Sequence, residues 1–441
     1  MSKVTDATGV YRELTLRSQA AWERARTRLP GGVSSNVRFF EPYPIFMERA
    51  AGSKIYDVDG REYIDYCLAF GPLIAGHGHP RIMDAIRAEI DRRGTVIFGA
   101  STELELTMAE RLCRLIPSAE MVRFTNSGTE STMHAIRLAR GATGRSKLVK
   151  FEGHYHGGHD SVLIGLDGSR PSRPANDGLA RATQDATIVL PFNDVAALRN
   201  SLETTDDIAA VIIEPVARGA IGSELEFLRE LRAITERRGI VLIFDEVVSW
   251  PRVSLGGAQK ALGVTPDLTA LGKAIGGGLP MGAVVGKRSV MSRFTPTAAR
   301  TEGEPRQYVF QGGTYNATPM ALAAGIALLD LLEEPGVYDG LQRIADGMRR
   351  ELAARFARRS LGAQVIGTGA ALDFYFTEKP IRTLREVWES DLARREAVDY
   401  RLLELGIYNS PLHRFHLSLA HSQSDVEKTL DAIDSASRAA L

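Results

Sequence analysis

The chain is 441 residues long, and its 54 Lys and Arg balance 54 Asp and Glu, a neutral total that gives no general attraction to nucleic acid or an anionic membrane. That length exceeds the roughly 100–200 residues of one domain and predicts at least two packed units with a large core. The two cysteines, Cys67 and Cys113, lie far from any CxxC spacing, which argues against a disulfide or zinc framework, and no apolar run approaches the roughly 18 residues of a membrane helix, so a reducing cytoplasm is the expected setting.

In chain order, residues 1–30 read as polar and then helical. "GSKIYDVDGREYIDY" (52–66) holds two alternating apolar runs joined by Asp59-Gly60, a strong hairpin signal. From about residue 80 to 330, short apolar runs ("MVRFT", "KLVKF", "AAVIIEPV", "GIVLIFDEV", "DLTAL", "MGAVVG") alternate with amphipathic stretches such as 130–140 and 223–238. That alternation predicts an α/β layer with a largely parallel sheet. The polar stretch 293–309 reads as a surface or active-site loop. Residues 338–358 are helix-like, "QVIGTGAALDFYF" and "RFHLSLAH" are strand-like around the helix-like 384–405, and a last helix begins near 424. The expected organisation is a small domain shared by residues 1–75 and 331–441, enclosing a large domain over 76–330.

Three stretches can carry chemistry. In "MVRFTNSGTESTMHAIRLARGA" (121–142) a strand runs into Asn126, Ser127, Gly128 and Thr129 at a helix start, where unpaired backbone N–H groups suit a phosphate; an ordinary capped turn would look the same. "GIVLIFDEVV" (239–248) puts Asp245 and Glu246 at the C-terminal end of a buried-type strand, where open α/β sheets place ligands. Magnesium binding in a nucleotide hydrolase is one use of such carboxylates, but the chain holds no G-x-x-x-x-G-K-[ST].

"PDLTALGKAIGGGLPMGAVVG" (266–286) surrounds Lys273 with apolar residues and glycines. Buried lysines tend to lose their proton, and a neutral amine forms Schiff bases with carbonyls. A phosphate turn, a strand-end aspartate and such a lysine, in this order, describe a pyridoxal phosphate site. "FEGHYHGGHD" (151–160) then has two readings. As a metal site, His154, His156, His159 and Asp160 follow no well-specified spacing. As a cofactor shelf, Tyr155 offers a flat ring to stack, the glycines let the loop fold beneath it, and the histidines are loop polar groups.

These residues resemble the fold type I, class III pyridoxal phosphate aminotransferases, and within them the glutamate-1-semialdehyde aminomutase branch. The likeness runs through "PGGVSSNVR" (30–38), "GPLIAGHGHP" (71–80), "FTNSGTESTMHAIRLARGATGR" (124–145), "FEGHYHG" (151–157), "IIEPV" (212–216), "DEVV" (245–248), "PDLTALGKAIGGGLPMGA" (266–283) and "QGGTYNATPMALAAG" (311–325). It implies a large domain with a seven-stranded, mostly parallel sheet in an α/β/α sandwich. By the resemblance Lys273 is the Schiff-base lysine, Asp245 partners the pyridine nitrogen, and Val247 packs on the ring face opposite Tyr155. Ser127, Gly128 and Thr129 hold the phosphate, and Thr314 completes the phosphate cup of the neighbouring subunit, which implies a homodimer with shared sites. Arg38 matches the arginine that binds a substrate carboxylate, a role its bidentate guanidinium suits.

The chain also departs from the aminomutase pattern. Phe70 stands where the aminomutases carry tryptophan before Gly-Pro, "EPVARGA" offers Arg218 and Gly219 where they have an asparagine, and "LDGSRPSRPANDGLARA" (166–182) does not copy their Gly-Ser-rich lid. In "LHRFHLSLAH", His413 and Arg414 replace a glutamate in an apolar context. The "SWPRV" segment (249–253) departs from the branch's Thr-Gly-Phe-Arg type of continuation, and the sequence offers no reason for it. An intermolecular transaminase must accept two different acids, often one a dicarboxylate, and a second arginine provides for that. Transaminases of β-amino acids and of the D-phenylglycine type belong to this branch. The expected function is therefore ping-pong transfer from a β-amino or aromatic amino acid to 2-oxoglutarate or pyruvate, with Phe70 and Arg414 in the substrate pocket; the alternative is glutamate-1-semialdehyde 2,1-aminomutase.

Overall fold

The computed structural model of the protein describes residues 4–166, 177–301, 303 and 308–440. They form two compact units: one made by Met1–Pro80, Pro335–Ile381 and Glu386–Leu441, the other by Arg81–Glu334 with Arg382–Arg385.

The larger unit is built on seven strands in the order Met121–Thr125, Gly282–Gly286, Leu268–Leu271, Val241–Asp245, Ile208–Ile213, Lys147–Phe151 and Thr187–Leu190. Gly282–Gly286 runs against both its neighbours, and the other pairs are parallel. Successive residues of a strand point to opposite faces, and the cores obey that rule. Ala283 and Val285 join Met108, Leu112, Leu322 and Leu329 in one cluster. Val284 joins Ala135, Ile136, Ala139 and Met291 in the other. The sheet is therefore covered on both faces by helices, which is why Ile208–Ile213 and Val241–Asp245 are buried at every position and read as continuous apolar runs.

The SWPRV segment gains a physical account here. Trp250 is buried in the first cluster, and its indole donates to Leu255 O at 3.0 Å. Buried Glu246 holds the segment by accepting from Ser249 Oγ, from the backbone of Ala258 and Gln259, and from Gln259 Nε2.

In the smaller unit the hairpin forms where Asp59-Gly60 predicts it: Lys54–Asp57 pairs antiparallel with Glu62–Asp65, and Gly60 takes φ 88°. Two expectations need correction. The helix-like stretch 384–405 is broken into Leu384–Glu389 and Leu392–Glu404, because the Asp391 carboxylate caps the second helix at the Arg394 N–H. In "RFHLSLAH" only Phe415–His416 pairs as a strand. Behind it Arg395, fully buried, is bonded to Asp399, Asp373 and the His413 carbonyl and lies over the Phe374 ring at 4.3 Å. This cluster fixes the turn that carries His413 and Arg414. Much of the lid stretch 166–182, and part of 293–309, lie outside the described residues.

Candidate active site

In the larger unit the site grows from strand ends. Strand Met121–Thr125 leads into helix Gly128–Thr143, whose N-cap Ser127 accepts from the Glu130 N–H at 3.2 Å. The Glu130 carboxylate reaches back to the Asn126 N–H at 2.8 Å. The first-turn N–H groups of Gly128 and Thr129 have no acceptor inside the helix and present partial positive charge. Gly128 is required by contact: a Cβ there would lie 2.7 Å from Val247 Cγ1.

The FEGHYHGG loop is seated on this helix start. The Thr132 hydroxyl donates to His156 O at 2.6 Å, and a Cβ on Gly157 would meet Thr129 Oγ1 at 2.5 Å. Glu214 fastens the loop from the next strand, accepting the Tyr155 N–H at 2.7 Å and donating its own N–H to His154 Nδ1 at 3.1 Å. Arg218 adds a bond from Nε to Gly153 O at 3.0 Å. Side chains along the loop alternate: His154 and His156 are buried, while Tyr155 between them is 43% exposed.

Asp245, at the end of its strand, is 5% exposed. Its Oδ2 faces His156 Nδ1 at 2.8 Å and its Oδ1 accepts the Val247 N–H at 3.1 Å. Burial pushes its carboxyl up from 3.8 to about 7, against the pull of the Val247 N–H and the charge of Lys273. Burial likewise holds His156 neutral, down at about 3, with the Lys150 ammonium adding to the effect. The neutral imidazole faces Asp245 through Nδ1, which donates its N–H to the ionised carboxylate and accepts from the protonated carboxyl. Sequence reasoning took these histidines for loop polar groups. His156 is instead the partner of the key carboxylate, and the alternation His-Tyr-His was the signal that it points inward beside an outward ring.

Lys273 follows strand Leu268–Leu271 and takes φ 50°, a left-handed conformation rarely adopted by a residue with a side chain. Its turn is clamped by helix Pro319–Leu332: a Cβ on Gly277 would lie 2.5 Å from Ala324 O, and one on Gly325 would lie 2.2 Å from Ile275 O. Thr314 is exposed between Phe310 and Tyr315, both more than half exposed.

The structure thus brings Ser127, Gly128, Thr129, Tyr155, Asp245, Val247 and Lys273 to one end of the larger sheet. The set fits pyridoxal phosphate: a glycine-lined helix start for a dianion, a buried carboxylate for a ring nitrogen, valine and tyrosine side chains for ring faces, and an amine for an aldehyde.

Arg38, Phe70 and Arg414 belong to the smaller unit. Arg38 and Phe70 line one cavity of about 640 Å³ together with Ile45, Cys67, His77 and Tyr408. Phe70 sits in an unusual turn: Leu68, Ala69 and Phe70 have φ of 46°, 55° and 65°, and Gly71 follows at 111°. Left-handed backbone costs about 1–2 kcal/mol per residue that carries a Cβ. The Phe70 ring packs on His413 with centroids 5.2 Å apart. Arg414 donates from Nε to His416 Nε2 at 3.2 Å.

The class-III aminotransferase family matches residues 37–436 of this chain. The chain belongs to that family. Its fold is fold type I and its cofactor is pyridoxal phosphate. Glutamate-1-semialdehyde 2,1-aminomutase 2 of Brevibacillus brevis is 42% identical, over 94% of this chain and 97% of its own. An omega-transaminase from Sphaerobacter thermophilus superposes with a TM-score of 0.91 at 38% identity, covering 98% of this chain and 99% of its own. A β-phenylalanine aminotransferase from Variovorax paradoxus gives 0.89 at 32% identity, covering 98% and 96%. Among the described residues no helix is long and apolar enough to cross a membrane.

Proposed function

We propose that this class-III enzyme is a transaminase, moving the amino group of a β-amino or aromatic amino acid to a 2-oxo acid such as 2-oxoglutarate or pyruvate, in a homodimer. The observation that carries this reading is a cavity lined by the Arg38 guanidinium and the Phe70 ring, with Arg414 next in the chain to His413, whose ring packs on Phe70. Two cations serve two carboxylates, whether on two successive substrates or on one dicarboxylate, and a bare apolar group can rest on the phenyl ring.

When bound, the cofactor supplies an aldehyde that condenses with amines and a ring that accepts the electron pair of a broken C–H bond. The chain does the rest. Asp245, oriented by His156 and the Val247 N–H, holds a proton at the ring nitrogen through a charge-assisted bond. Lys273 Nζ would hold the cofactor's aldehyde in the resting enzyme and, as a free amine, would carry the proton to or from the substrate carbon. The N–H groups of Gly128 and Thr129, with the Ser127 hydroxyl, hold the phosphate, and Tyr155 and Val247 flank the ring. Thr314, exposed in one chain, reaches the phosphate of the partner.

The aminomutase reading is favoured by the 42% identity with the Brevibacillus enzyme. Overall identity reports the scaffold and its cofactor site, whereas Phe70 and Arg414 are departures at residues we assign to substrate binding, and for that reason we place transamination first. One experiment decides: holoenzyme is given glutamate-1-semialdehyde with no second acid, and separately β-phenylalanine with 2-oxoglutarate. Transamination predicts glutamate in the second mixture only. Rearranged product in the first mixture and none in the second would establish the aminomutase.

A further inference from the structure

The left-handed turn at residues 68–70 does not hold itself. Within it the Phe70 N–H donates to Cys67 O at 2.9 Å and the Gly71 N–H to Leu68 O at 3.0 Å. Asp65, which is buried, adds to these bonds. Its Oδ1 accepts the N–H of Cys67 at 2.8 Å and of Leu68 at 3.0 Å, the two residues that enter the turn. Its Oδ2 meets His77 Nε2 at 2.7 Å. Both partners are tied down. Asp65 ends a strand that pairs with Ile407–Tyr408, and His77 exchanges two backbone bonds with Gly52, at 2.8 and 2.9 Å. The other side of Phe70 is the His413 ring, whose residue donates its N–H to Ser410 O at 2.9 Å.

Strained backbone persists where its surroundings over-determine it, and such places cluster at sites that need a group held in one position. Here the group presented is Phe70, and Asp65, Cys67, His77 and Ser410 line the same cavity as that ring.

We propose that Asp65 and His77 are positioning residues for substrate selection: the carboxylate, aimed by the imidazole, locks the left-handed turn so that the Phe70 ring forms a fixed wall against the apolar group of the amino donor. The inference rests on the transaminase reading. The pair lines the cavity, but its bonds run to the turn that carries Phe70, so its loss raises the KM of donors with an aromatic group more than that of small donors.

The test is a double-mutant cycle on the holoenzyme. Variants are His77→Leu, His77→Gln, Phe70→Ala and the His77→Leu/Phe70→Ala double, assayed with β-phenylalanine and with β-alanine. His77→Leu should raise the KM for β-phenylalanine about 10-fold, the loss of one charge-assisted bond's worth of alignment, with kcat changed less than about twofold. His77→Gln, which keeps an N–H near the Nε2 position, should recover most of that KM. In the Phe70→Ala background the effect of His77→Leu should vanish, since the ring it positions is gone. Multiplying effects of the two substitutions, or an equal rise in KM for β-alanine, overturns the inference while leaving transamination standing. Absence of amino transfer from every donor overturns the transaminase reading and this inference with it.

Discussion

Asp245 offers the sharpest quantitative expectation. Burial moves its carboxyl from 3.8 to about 7, which corresponds to about 4 kcal/mol of linkage between proton binding and folding. The folded chain keeps this proton longer than the unfolded chain. The stabilisation is therefore present in full below pH 3.8 and is lost as pH rises through about 7. At pH 8 the cofactor-free protein carries the cost of a buried carboxylate, opposed by His156, the Val247 N–H and the charge of Lys273. Asp245→Asn cannot ionise and escapes that loss. Urea unfolding of the two cofactor-free proteins, followed by fluorescence, should show the Asn variant gaining about 3 kcal/mol on the native chain between pH 5 and pH 8. Titration of His156 in the unfolded chain is common to both and drops out. Bound cofactor, placing a ring N–H against Asp245, should flatten the pH dependence of the native holoenzyme. A stability difference that stays constant from pH 5 to 8 would refute the argument that burial governs this carboxyl.

Three other expectations concern different parts of the chain. Gly128→Ala places a methyl group 2.7 Å from Val247 Cγ1, so cofactor titration should show at least about a 10-fold loss of affinity; unchanged affinity contradicts the packing described. Arg414→Ala should raise the KM for 2-oxoglutarate about 10- to 100-fold, the worth of one charged hydrogen bond, while the half-reaction with the amino donor changes little; the opposite pattern removes Arg414 from acceptor binding. Glu246→Leu strands the donors of Ser249, Ala258 and Gln259 in the core, and denaturation should show a loss of about 3 kcal/mol or more, whereas a loss below about 1 kcal/mol would contradict its role as a hub.

Features carried by short stretches of chain were legible in the sequence. Apolar runs between amphipathic stretches gave the parallel sheet, Asp59-Gly60 gave the hairpin, and the order of Gly128, Asp245 and Lys273 gave the cofactor chemistry, since each lies at a strand end that its own neighbours announce. What was hidden depends on contacts between distant segments. His156 meets Asp245 across 89 residues, a pairing fixed only when two strands of the sheet align. Trp250 has its place because helices from elsewhere in the chain close over one sheet face. The left-handed turn at Leu68, Ala69 and Phe70 carries no glycine until Gly71, so local composition points away from it. Asp65 supports it through local bonds to the Cys67 and Leu68 N–H groups, and His77 meets the other oxygen of that carboxylate from 12 residues along the chain. The break at Asp391 was a local signal that could have been read, because aspartate three residues before the Arg394 N–H is a capping arrangement.

We propose that the amine at position 273 carries the cofactor. Borohydride reduction of the holoenzyme, proteolysis and peptide mass spectrometry measure that directly. The prediction is a pyridoxyl phosphate mass addition on the peptide containing Lys273 and on no other. Label on a different lysine, or none on a protein saturated with pyridoxal phosphate, would contradict it.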